Sequence, residues 1–474
     1  MEAWERRTRR RARLRRKRER QVRRRRIMLI ETVILLILII LCISLHTHRR
    51  GEERQKNAAK KSLVKEALQE CYKDFSKAGK KEQADFARWV TDNYPKETTG
   101  ALYDAAKKGR LTEQDIYQSL GETMHVLSDR KAGYLKDAKT MARRQIYERN
   151  GKTEHEAEIM FAGDLCFAEE GFVLDHYDEV QDLSQCISPE LLEMTNQADL
   201  FCLNHEYCIS ERGEPLNGKL YTFRAQPQRM QLLSEMGTDL VSLANNHVYD
   251  YGEEAMLDTA GYLENAGIPY VGGGRNKEEA DRPVYFIING IKIGFVAASN
   301  AEKTKYTPAA KEDSPGILEA YDTKEYNRII KAAAKECDYL IAYIHWGNED
   351  TNQYSDAQTE QGEEFLHSGA DIVVGGHPHV LQGIEYMDGK PVIYSMGDFW
   401  FNDETKYTGV LKLTVGYNGL KEMAFVPSLQ TEYTTQYLKE PQEQRKMFDF
   451  LENLSPNAVI DDNGVITEGS RESL

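Results

Sequence analysis

Six apolar segments of this 474-residue chain are each followed at once by polar residues. The segments have the length and composition of buried strands, and helical stretches separate several of them. Helices that alternate with buried strands are typical of an α/β layered domain. In open α/β sheets the carboxyl ends of parallel strands line one crevice. We therefore expect the polar residues from these strand ends to converge on one site.

The polar residues at the strand ends are His, Asn and carboxylates. They are Asp164 after AEIMFA; Asn204, His205 and Glu206 after ADLFCL; Asn245, Asn246, His247 and Asp250 after VSLA; His345 after YLIAYI; His377 and His379 after ADIVV; and Asp398 in YSMGDFWF. One such cluster alone would be an ordinary polar turn or a hydrogen-bonded core residue. Four of the eleven histidines fall in three of these clusters, and this coincidence favours a functional site.

The types of side chain indicate which ligand the site would take. Carboxylate, amide oxygen and imidazole without thiolate suit Mn, Fe or Zn. His377 and His379 flank a proline, so two imidazoles lie near each other around a rigid residue. Two metal ions about 4 Å apart can clamp a phosphoester and lower the pKa of a bridging water. We therefore expect one or two divalent ions per chain.

The N-terminal 45 residues predict a membrane anchor. Residues 1–26 carry fifteen Arg or Lys against three Glu, although the whole chain has a net charge of −14. Residues 27–45 are predominantly apolar, with Glu31 as the one charged residue, and have about the length that a helix needs to cross a bilayer. The run ends without the small-residue cleavage site of a signal peptide. Basic flanks stay in the cytoplasm, so we expect a single-pass protein of the cell membrane with its bulk outside the cytoplasm.

An Arg-rich tail is also compatible with nucleic-acid binding. The tail adjoins a predicted membrane span, which favours a role in fixing the orientation of that span. The acidic remainder of the chain is unlike a nucleic-acid binder, so we expect membrane lipid as a partner and no nucleic acid.

Composition divides the chain into five segments. They are a basic cytoplasmic tail (1–26), a transmembrane anchor (27–45), a helical stalk or small helical region (46–150), an α/β domain (151–430), and a C-terminal helix with a polar tail (431–474). The seven cysteines form no CxxC pair and are too scattered for a disulfide-rich scaffold. Whether one or two disulfides form stays open at this point.

The motifs, in this order, resemble the bacterial capsule-synthesis CapA family, which is associated with poly-γ-glutamate synthesis and related to calcineurin-like metallophosphoesterases. The matching stretches lie within about residues 156–415: FAGDLCF, ADLFCLNHE, YTFRAQP, SLANNHVYDYG, YIHWGNE, ADIVVGGHPHVLQGIE and VIYSMGDFWF. The resemblance implies that residues 151–430 form a CapA-like metallophosphatase domain with a four-layer α/β/β/α sandwich.

The resemblance also implies a set of metal ligands. They are Asp164 and His379 for a first ion, Asn246, His345 and His377 for a second, and Glu206 as the carboxylate that bridges them. The chain departs from the family's usual Asp-x-His opening, because Cys166 stands where the histidine is expected. Cys166 would either ligate or pack as a small apolar residue, and we favour packing. The first site is then expected to be weak or empty.

The resemblance places His247 as general acid or phosphoryl contact, oriented by Asp250. It places Arg224 as a clamp for a phosphate or carboxylate, which a guanidinium suits. Asn204 would orient a loop or contact the ligand.

Two functions follow. The first is a metal-dependent hydrolase of phosphoester type in capsule or poly-γ-glutamate biosynthesis. The alternative is a non-catalytic accessory subunit for the synthesis or export of an anionic capsular polymer. Either would work beside other subunits of a polymer synthase, with a phosphoester or an anionic polymer as the molecule it meets.

Overall fold

The computed structural model describes residues 145–149, 151–153, 156–169, 173–301, 305–416 and 418–469. The predicted tail (1–26), the predicted anchor (27–45) and nearly all of the helical region (46–150) lie outside these residues. Among the helices that the structure does describe, none combines the length and the apolar character that crossing a membrane requires.

The described chain contains many strands. In chain order they are β1 (Ile146–Arg149), β2 (Glu156–Leu165), β3 (Leu200–His205), β4 (Cys208–Ile209), β5 (Arg224–Ala225), β6 (Leu240–Ser242), β7 (Tyr270–Val271), β8 (Gly273–Gly274), β9 (Val284–Ile288), β10 (Ile291–Ser299), β11 (Gly316–Ile317), β12 (Tyr339–His345), β13 (Ile372–Gly376), β14 (Ile384–Met387), β15 (Lys390–Ile393), β16 (Asp398–Trp400), β17 (Lys406–Gly416), β18 (Gly419–Thr431), β19 (Thr434–Tyr437), β20 (Ala458–Ile460) and β21 (Ile466–Glu468).

The helices lie between strands, as the alternating sequence pattern predicts. They are α1 (Val173–Val180), α2 (Pro189–Gln197), α3 (Met230–Glu235), α4 (Gly252–Ala266), α5 (Lys277–Asp281), α6 (Lys324–Ala333), α7 (Asp356–Ser368) and α8 (Pro441–Leu454). The α/β class predicted from the sequence is confirmed.

Two large sheets organise the fold. One has the order β1-β9-β10-β12-β13-β15-β14, and the other β19-β18-β17-β2-β3-β6-β7, with β16 paired to β2. Strands β10, β12, β13 and β15 run parallel in the first sheet. Strands β2, β3, β6 and β7 run parallel in the second. The carboxyl ends of these parallel strands carry the polar clusters of the sequence analysis.

Three apolar clusters hold the layers together. The largest joins residues of both sheets, including Phe161 and Leu411 from one sheet and Phe295 and Ile341 from the other. The second packs the eight-stranded sheet against α1–α4, and the third packs the seven-stranded sheet against α6 and α7. The two sheets therefore share an inner core, and helices cover their outer faces.

Local signals in the sequence have the expected outcome at two turns and one helix end. The Asn289-Gly290 turn joins β9 and β10 as an antiparallel hairpin. A second Asn-Gly turn joins β17 and β18. Helix α4 ends at Gly267, whose φ of 74° is readily adopted by glycine.

The sequence does not predict the hairpin after α8, and it does not decide whether disulfides form. The residues after α8 form a β20–β21 hairpin, and its Ala458, Ile460 and Ile466 join the core between the sheets. Five cysteines lie among the described residues, and all five are free thiols. A disulfide within the described residues is therefore absent.

Candidate metal centre

Five strand ends bring the predicted ligands to one place. Asp164 is the penultimate residue of β2, and His345 is the last residue of β12. Asn204 lies near the end of β3, and Glu206 follows directly after that strand. Because both sheets contribute parallel strands to this edge, side chains far apart in sequence come within hydrogen-bonding distance. The Asn246 and His377 clusters follow β6 and β13 at the same edge.

The first ligand group contains Asp164, Glu206 and His379, with one potential ligand atom from each lying within 4.8 Å of the others. His379 Nδ1 is 3.7 Å from Asp164 Oδ2, and His379 Nε2 is 3.8 Å from Glu206 Oε1. Both carboxylates are fully buried. One imidazole and two carboxylates form a donor set that suits a divalent cation.

The second ligand group contains Glu206, His345 and His377, again within 4.8 Å. His345 Nε2 lies 3.4 Å from Glu206 Oε1 and 2.7 Å from Asn246 Oδ1. The rings of His345 and His377 have centroids 4.7 Å apart. Glu206 thus belongs to both groups, in the position of a bridging carboxylate. The two groups have the same membership that the resemblance implies, and Asn246 directs its oxygen at the second.

Three buried atoms of the centre have no hydrogen-bond partner among the described residues: Glu206 Oε1, His377 Nδ1 and Asp398 Oδ2. A buried polar atom without a partner is costly, and native proteins seldom keep one. Glu206 Oε1 is also an atom that both ligand groups use. Asp398 Oδ2 has the Lys406 ammonium 3.6 Å away, so Glu206 Oε1 is the atom whose lack of a hydrogen-bond donor best fits a bound cation.

Burial and neighbouring charges shift the pKa values of the candidate ligands, and a nearby cation would lower the raised values of Asp164, Glu206 and His379. Burial raises the pKa of Asp164 to about 7, with a further contribution from Glu206, and that of Glu206 to about 8. It lowers the pKa of His345 to about 4 and that of His377 well below its usual value. Burial also disfavours charge on His379, but Asp398, Glu206 and Asp164 outweigh it and raise its pKa to about 10.

The backbone is strained at His377 and His379. His377 and His379 have φ values of 96° and 57°, a region that non-glycine residues seldom enter and that costs of order 1–3 kcal/mol per residue. The preceding Gly376 has no room for a side chain, because a Cβ there would lie 2.3 Å from the Tyr343 hydroxyl and 2.7 Å from Asp164 Oδ1. The backbone therefore passes close to Asp164, whose Oδ2 accepts from the His377 backbone N–H at 3.0 Å and lies 3.7 Å from His379 Nδ1.

Two asparagines position the carboxylates. Asn204 Nδ2 donates to Asp164 Oδ1 at 2.8 Å and to Glu206 Oε2 at 3.1 Å. Asn245 Nδ2 donates to Asn204 Oδ1, and its own Oδ1 accepts from the backbone of His247. Asn204 thus holds two candidate ligand carboxylates, where a loop-orienting role was expected. Its contact with a substrate stays a prediction.

Asp398, a strand-end carboxylate without a predicted role, lies behind His379. Its Oδ1 lies 2.8 Å from His379 Nδ1, which directs the other ring nitrogen towards Glu206. A carboxylate behind a ligating histidine is a common arrangement at metal sites. Glu349, two positions after the HWG stretch that holds His345, lies 4.0 Å from His377 Nε2 and was not predicted as a site residue. Position beside a strand-end histidine was the available signal for both acids.

A His–Asp pair borders the second group. His247 Nδ1 lies 2.6 Å from Asp250 Oδ2, and the His247 ring stacks on Phe223 at 4.2 Å. Asp250 Oδ1 pairs with Lys219 at 2.7 Å, and its Oδ2 accepts from the backbone of Phe223. Burial lowers the pKa of His247 well below its usual value and raises that of Asp250 to about 7, against the effect of Lys219.

Two other residues lie away from the ligand groups. Arg224 donates to the Gly213 carbonyl at 3.2 Å, and its guanidinium lies 4.0 Å from the Tyr251 ring centroid. Its proposed contact with a substrate anion stays a prediction. Cys166 is fully buried in the apolar cluster beneath the helices, and burial raises the pKa of its thiol well above the usual value. Cys166 therefore packs as an apolar residue, the alternative that we favoured.

An α/β fold with two ligand groups that share one carboxylate defines a candidate metal-binding protein. The family described as "Bacterial capsule synthesis protein PGA_cap" matches residues 158–403, which is more than half of the chain. The chain belongs to this family, and the resemblance drawn from the sequence motifs is confirmed.

Curated relatives carry related names. The chain is 31% identical over 204 residues to "PGA biosynthesis protein CapA" of Bacillus subtilis, covering 42% of this chain and 53% of that protein. It is 30% identical over 211 residues to "Capsule biosynthesis protein CapA" of Bacillus anthracis, covering 43% and 50%. A "Probable polyglutamine synthesis accessory protein" of Mycobacterium tuberculosis is 28% identical, covering 44% and 57%. The chain thus spans about half the length of the curated relatives it matches.

A solved structure is also similar. The crystal structure of TT1561 of Thermus thermophilus covers 55% of this chain and 99% of its own, at 11% sequence identity and a TM-score of 0.30.

Proposed function

We propose that this protein is a metal-dependent hydrolase of phosphoester type that works in capsule or poly-γ-glutamate biosynthesis, with a metallophosphoesterase-like sandwich as its scaffold. The observation that carries the proposal is the sharing of buried Glu206 by two histidine-containing ligand groups. A pair of divalent ions there would polarise a phosphoryl oxygen and activate water. Mn, Fe or Zn suits the donor set.

The ligand set follows from the two groups. Asp164, Glu206 and His379 would hold one ion, and Glu206, His345 and His377 the other. Asn246 Oδ1, which lies 2.7 Å from His345 Nε2, would turn from that ring to the second ion.

His247 would act on the leaving group. In the tautomer whose Nδ1–H donates a hydrogen bond to Asp250 Oδ2, Nε2 is available on the other side of the ring. Burial keeps the free imidazole neutral, and a general acid must carry a second proton. An anionic substrate beside the ring would stabilise the protonated form, since a nearby opposite charge raises the pKa of a histidine. His247 thus becomes a proton donor only once the anion is bound.

A second candidate function has its own support. The Mycobacterium tuberculosis relative is named an accessory protein for polyglutamine synthesis. In addition, Cys166 occupies the position where an imidazole is expected and is buried in the core. A non-catalytic subunit that binds or exports an anionic polymer would keep the fold with a single strong metal position. We place it second because the first ligand group is otherwise complete.

We further propose that residues 27–45 anchor the chain in the cell membrane, with residues 1–26 in the cytoplasm and the α/β domain of residues 151–430 outside. This rests on the apolar run and the basic flank alone. Other subunits of a polymer synthase are the partners that we expect, as suggested by the names of the relatives.

Metal content and hydrolysis of the full-length chain test the proposal. We would compare wild type with His377→Ala and with the control His367→Ala, whose side chain is 62% exposed and belongs to neither ligand group. We expect two bound ions in wild type and in the control, fewer in His377→Ala, and turnover of a chromogenic phosphate diester that needs Mn, Fe or Zn.

Other outcomes discriminate the two functions. One bound ion without turnover would favour the accessory subunit. If none of the three metals binds after reconstitution, the hydrolase proposal is wrong.

A further inference from the structure

The segment between β4 and β5, residues 210–223, contacts the His247–Asp250 pair at the border of the candidate centre, and we name it the strap. Its two ends are tied together, because Cys208 pairs with Arg224 and Ile209 with Ala225. Gly213 fits closely under the Tyr251 carbonyl, where an added Cβ would be 2.0 Å from the oxygen. The strap is therefore a closed loop held against the start of α4.

Three neighbouring residues of the strap have unusual exposures. The side chain of Lys219 is 3% exposed, whereas Leu220 and Tyr221 are 85% and 62% exposed. Folding normally buries leucine and leaves lysine in water, because burying a charge is costly unless it is paired. The strap instead buries the lysine and exposes the leucine. Its conformation therefore places the Lys219 ammonium group in the protein interior.

Two partners of the buried ammonium lie beside the candidate centre. Lys219 Nζ lies 2.7 Å from Asp250 Oδ1 and also donates to the backbone carbonyl of Asn246. Asp250 orients His247, and the side chain of Asn246 points at His345 in the second ligand group. The Lys219 ammonium thus connects the His247–Asp250 pair to the backbone of Asn246, a predicted ligand.

We propose that Lys219 is a positioning residue of the candidate metal centre, which fixes Asp250 and Asn246 and through them the His247 ring and the Asn246 oxygen. This inference rests on the proposed function. Residues behind the ligands of a metal site commonly change metal affinity or activity about 10–100-fold when substituted. The strap brings this residue from outside the strand ends, which explains why the ligand motifs do not reveal it.

The first test is a Co²⁺ titration of the full-length chain that follows affinity and the visible absorption spectrum. Lys219→Met removes the charge, and Thr307→Val is the matched control because Thr307 Oγ1 also donates to the Asn246 carbonyl, at 2.8 Å. We expect Lys219→Met to weaken Co²⁺ binding about 10–100-fold and to shift the spectrum. We expect the control to lose less than about 10-fold, because a neutral donor contributes less than a charged one.

The second test needs no metal. The ¹⁵N imidazole signals of His247 report the bond to Asp250, and we expect Lys219→Met to shift them while Thr307→Val leaves them in place. If Lys219→Met does not fold, Lys219→Gln keeps an N–H donor without the charge and takes its place in both measurements.

The outcomes separate the two proposals. A folded charge-removing variant with wild-type Co²⁺ binding and unchanged His247 signals would overturn the role of Lys219. A wild type without hydrolytic activity, whose His247 signals still depend on Lys219, would overturn the proposed function and leave the positioning role in place.

Discussion

The core between the sheets and the candidate metal centre use the same strands in opposite ways. Strand β12 shows this within seven residues: Ile341 lies in the inter-sheet core, and His345 at the strand's end lies among the ligands. Both residues are fully buried. The inter-sheet core is largely apolar, whereas the centre has buried polar atoms without partners.

This difference indicates that the inter-sheet core stabilises the fold, whereas the buried polar groups of the centre reduce its stability. Apolar burial contributes roughly 25 cal/mol per Å² removed from water. Burying carboxylates and imidazoles works against folding unless they are paired. We therefore expect substitutions in the core to reduce stability without changing metal binding. Substitutions at the centre should reduce metal binding without reducing the stability of the metal-free protein.

The largest loss of stability is expected for Phe295→Ala. Its ring lies between Phe161 and Phe286, with centroids 6.1 and 5.7 Å away. A buried Phe→Ala change costs about 3–5 kcal/mol through lost burial and the cavity that remains. Urea unfolding measures the loss. Metal content per folded chain should stay at the wild-type value, and a fall in it would contradict the separation of the two regions.

The largest loss of metal is expected for Glu206→Gln. Because Glu206 belongs to both ligand groups, one substitution should reduce binding at both positions. The stability of the metal-free protein should not fall, since burial already raises the pKa of this carboxyl to about 8 and favours a neutral form. Metal analysis and urea unfolding of the same sample check both halves. A variant that keeps one ion at full affinity would show that Glu206 is no bridge.

A change of pH should act on the centre with a defined sign. The folded pKa values of Asp164 and Glu206, about 7 and about 8, lie above their ordinary values. The folded state then holds more protons than the unfolded state, so the stabilising contribution is complete below about pH 4 and is lost as pH rises through about 8. His247, His345 and His377 have lowered pKa values and oppose this trend below about pH 6.5. Above about pH 6.5 these imidazoles are neutral in both states, and the metal-free melting temperature should fall up to about pH 8.

Bound metal should oppose this fall, because ligation needs the deprotonated carboxylates and affinity rises with pH. Melting curves with a chelator and with excess Mn²⁺ compare the two cases. Glu206→Gln is the control, and its metal-free curve should depend less on pH. A metal-free wild-type melting temperature that rises between about pH 6.5 and about pH 8 would contradict the assignment.

A smaller effect is expected for Asp398→Asn. Asp398 contacts His379 at 2.8 Å and belongs to neither ligand group, so the substitution should weaken the first position and leave the second intact. The loss of metal affinity should be about 10–100-fold, as for other residues behind a ligating histidine. Competition with a chromophoric chelator measures it. Equal losses at both positions would mean that the two groups are not separable.

The smallest effect is expected for Cys166→Ala. The side chain is enclosed by apolar residues, so removing its sulfur should cost about 1 kcal/mol, the typical size for a point substitution. Metal content should be unchanged. Loss of an ion in this variant would show that the thiol ligates and would move Cys166 from the core to the centre.

The sequence by itself determined the α/β class, the position of α8 and the Asn289-Gly290 hairpin. These features depend on local periodicity and turn chemistry, which a single sequence displays directly. The motifs also identified the family and the strand ends that supply His345, His377 and His379. Parallel strands place their carboxyl ends at one edge, so order along the chain was enough to expect convergence.

The tertiary structure alone decided the geometry of the centre and the residues that support it. The pairing of Asp398 with His379, the turning of Asn204 towards two carboxylates and the burial of Lys219 each depend on a contact between residues 19 to 40 positions apart. Contacts of this kind depend on side-chain direction and on where a loop returns, and neither leaves a periodic signal in the sequence. Cys166 is decided in the same way, because the side to which a residue just past β2 points follows from the packing of the sheet against its helices.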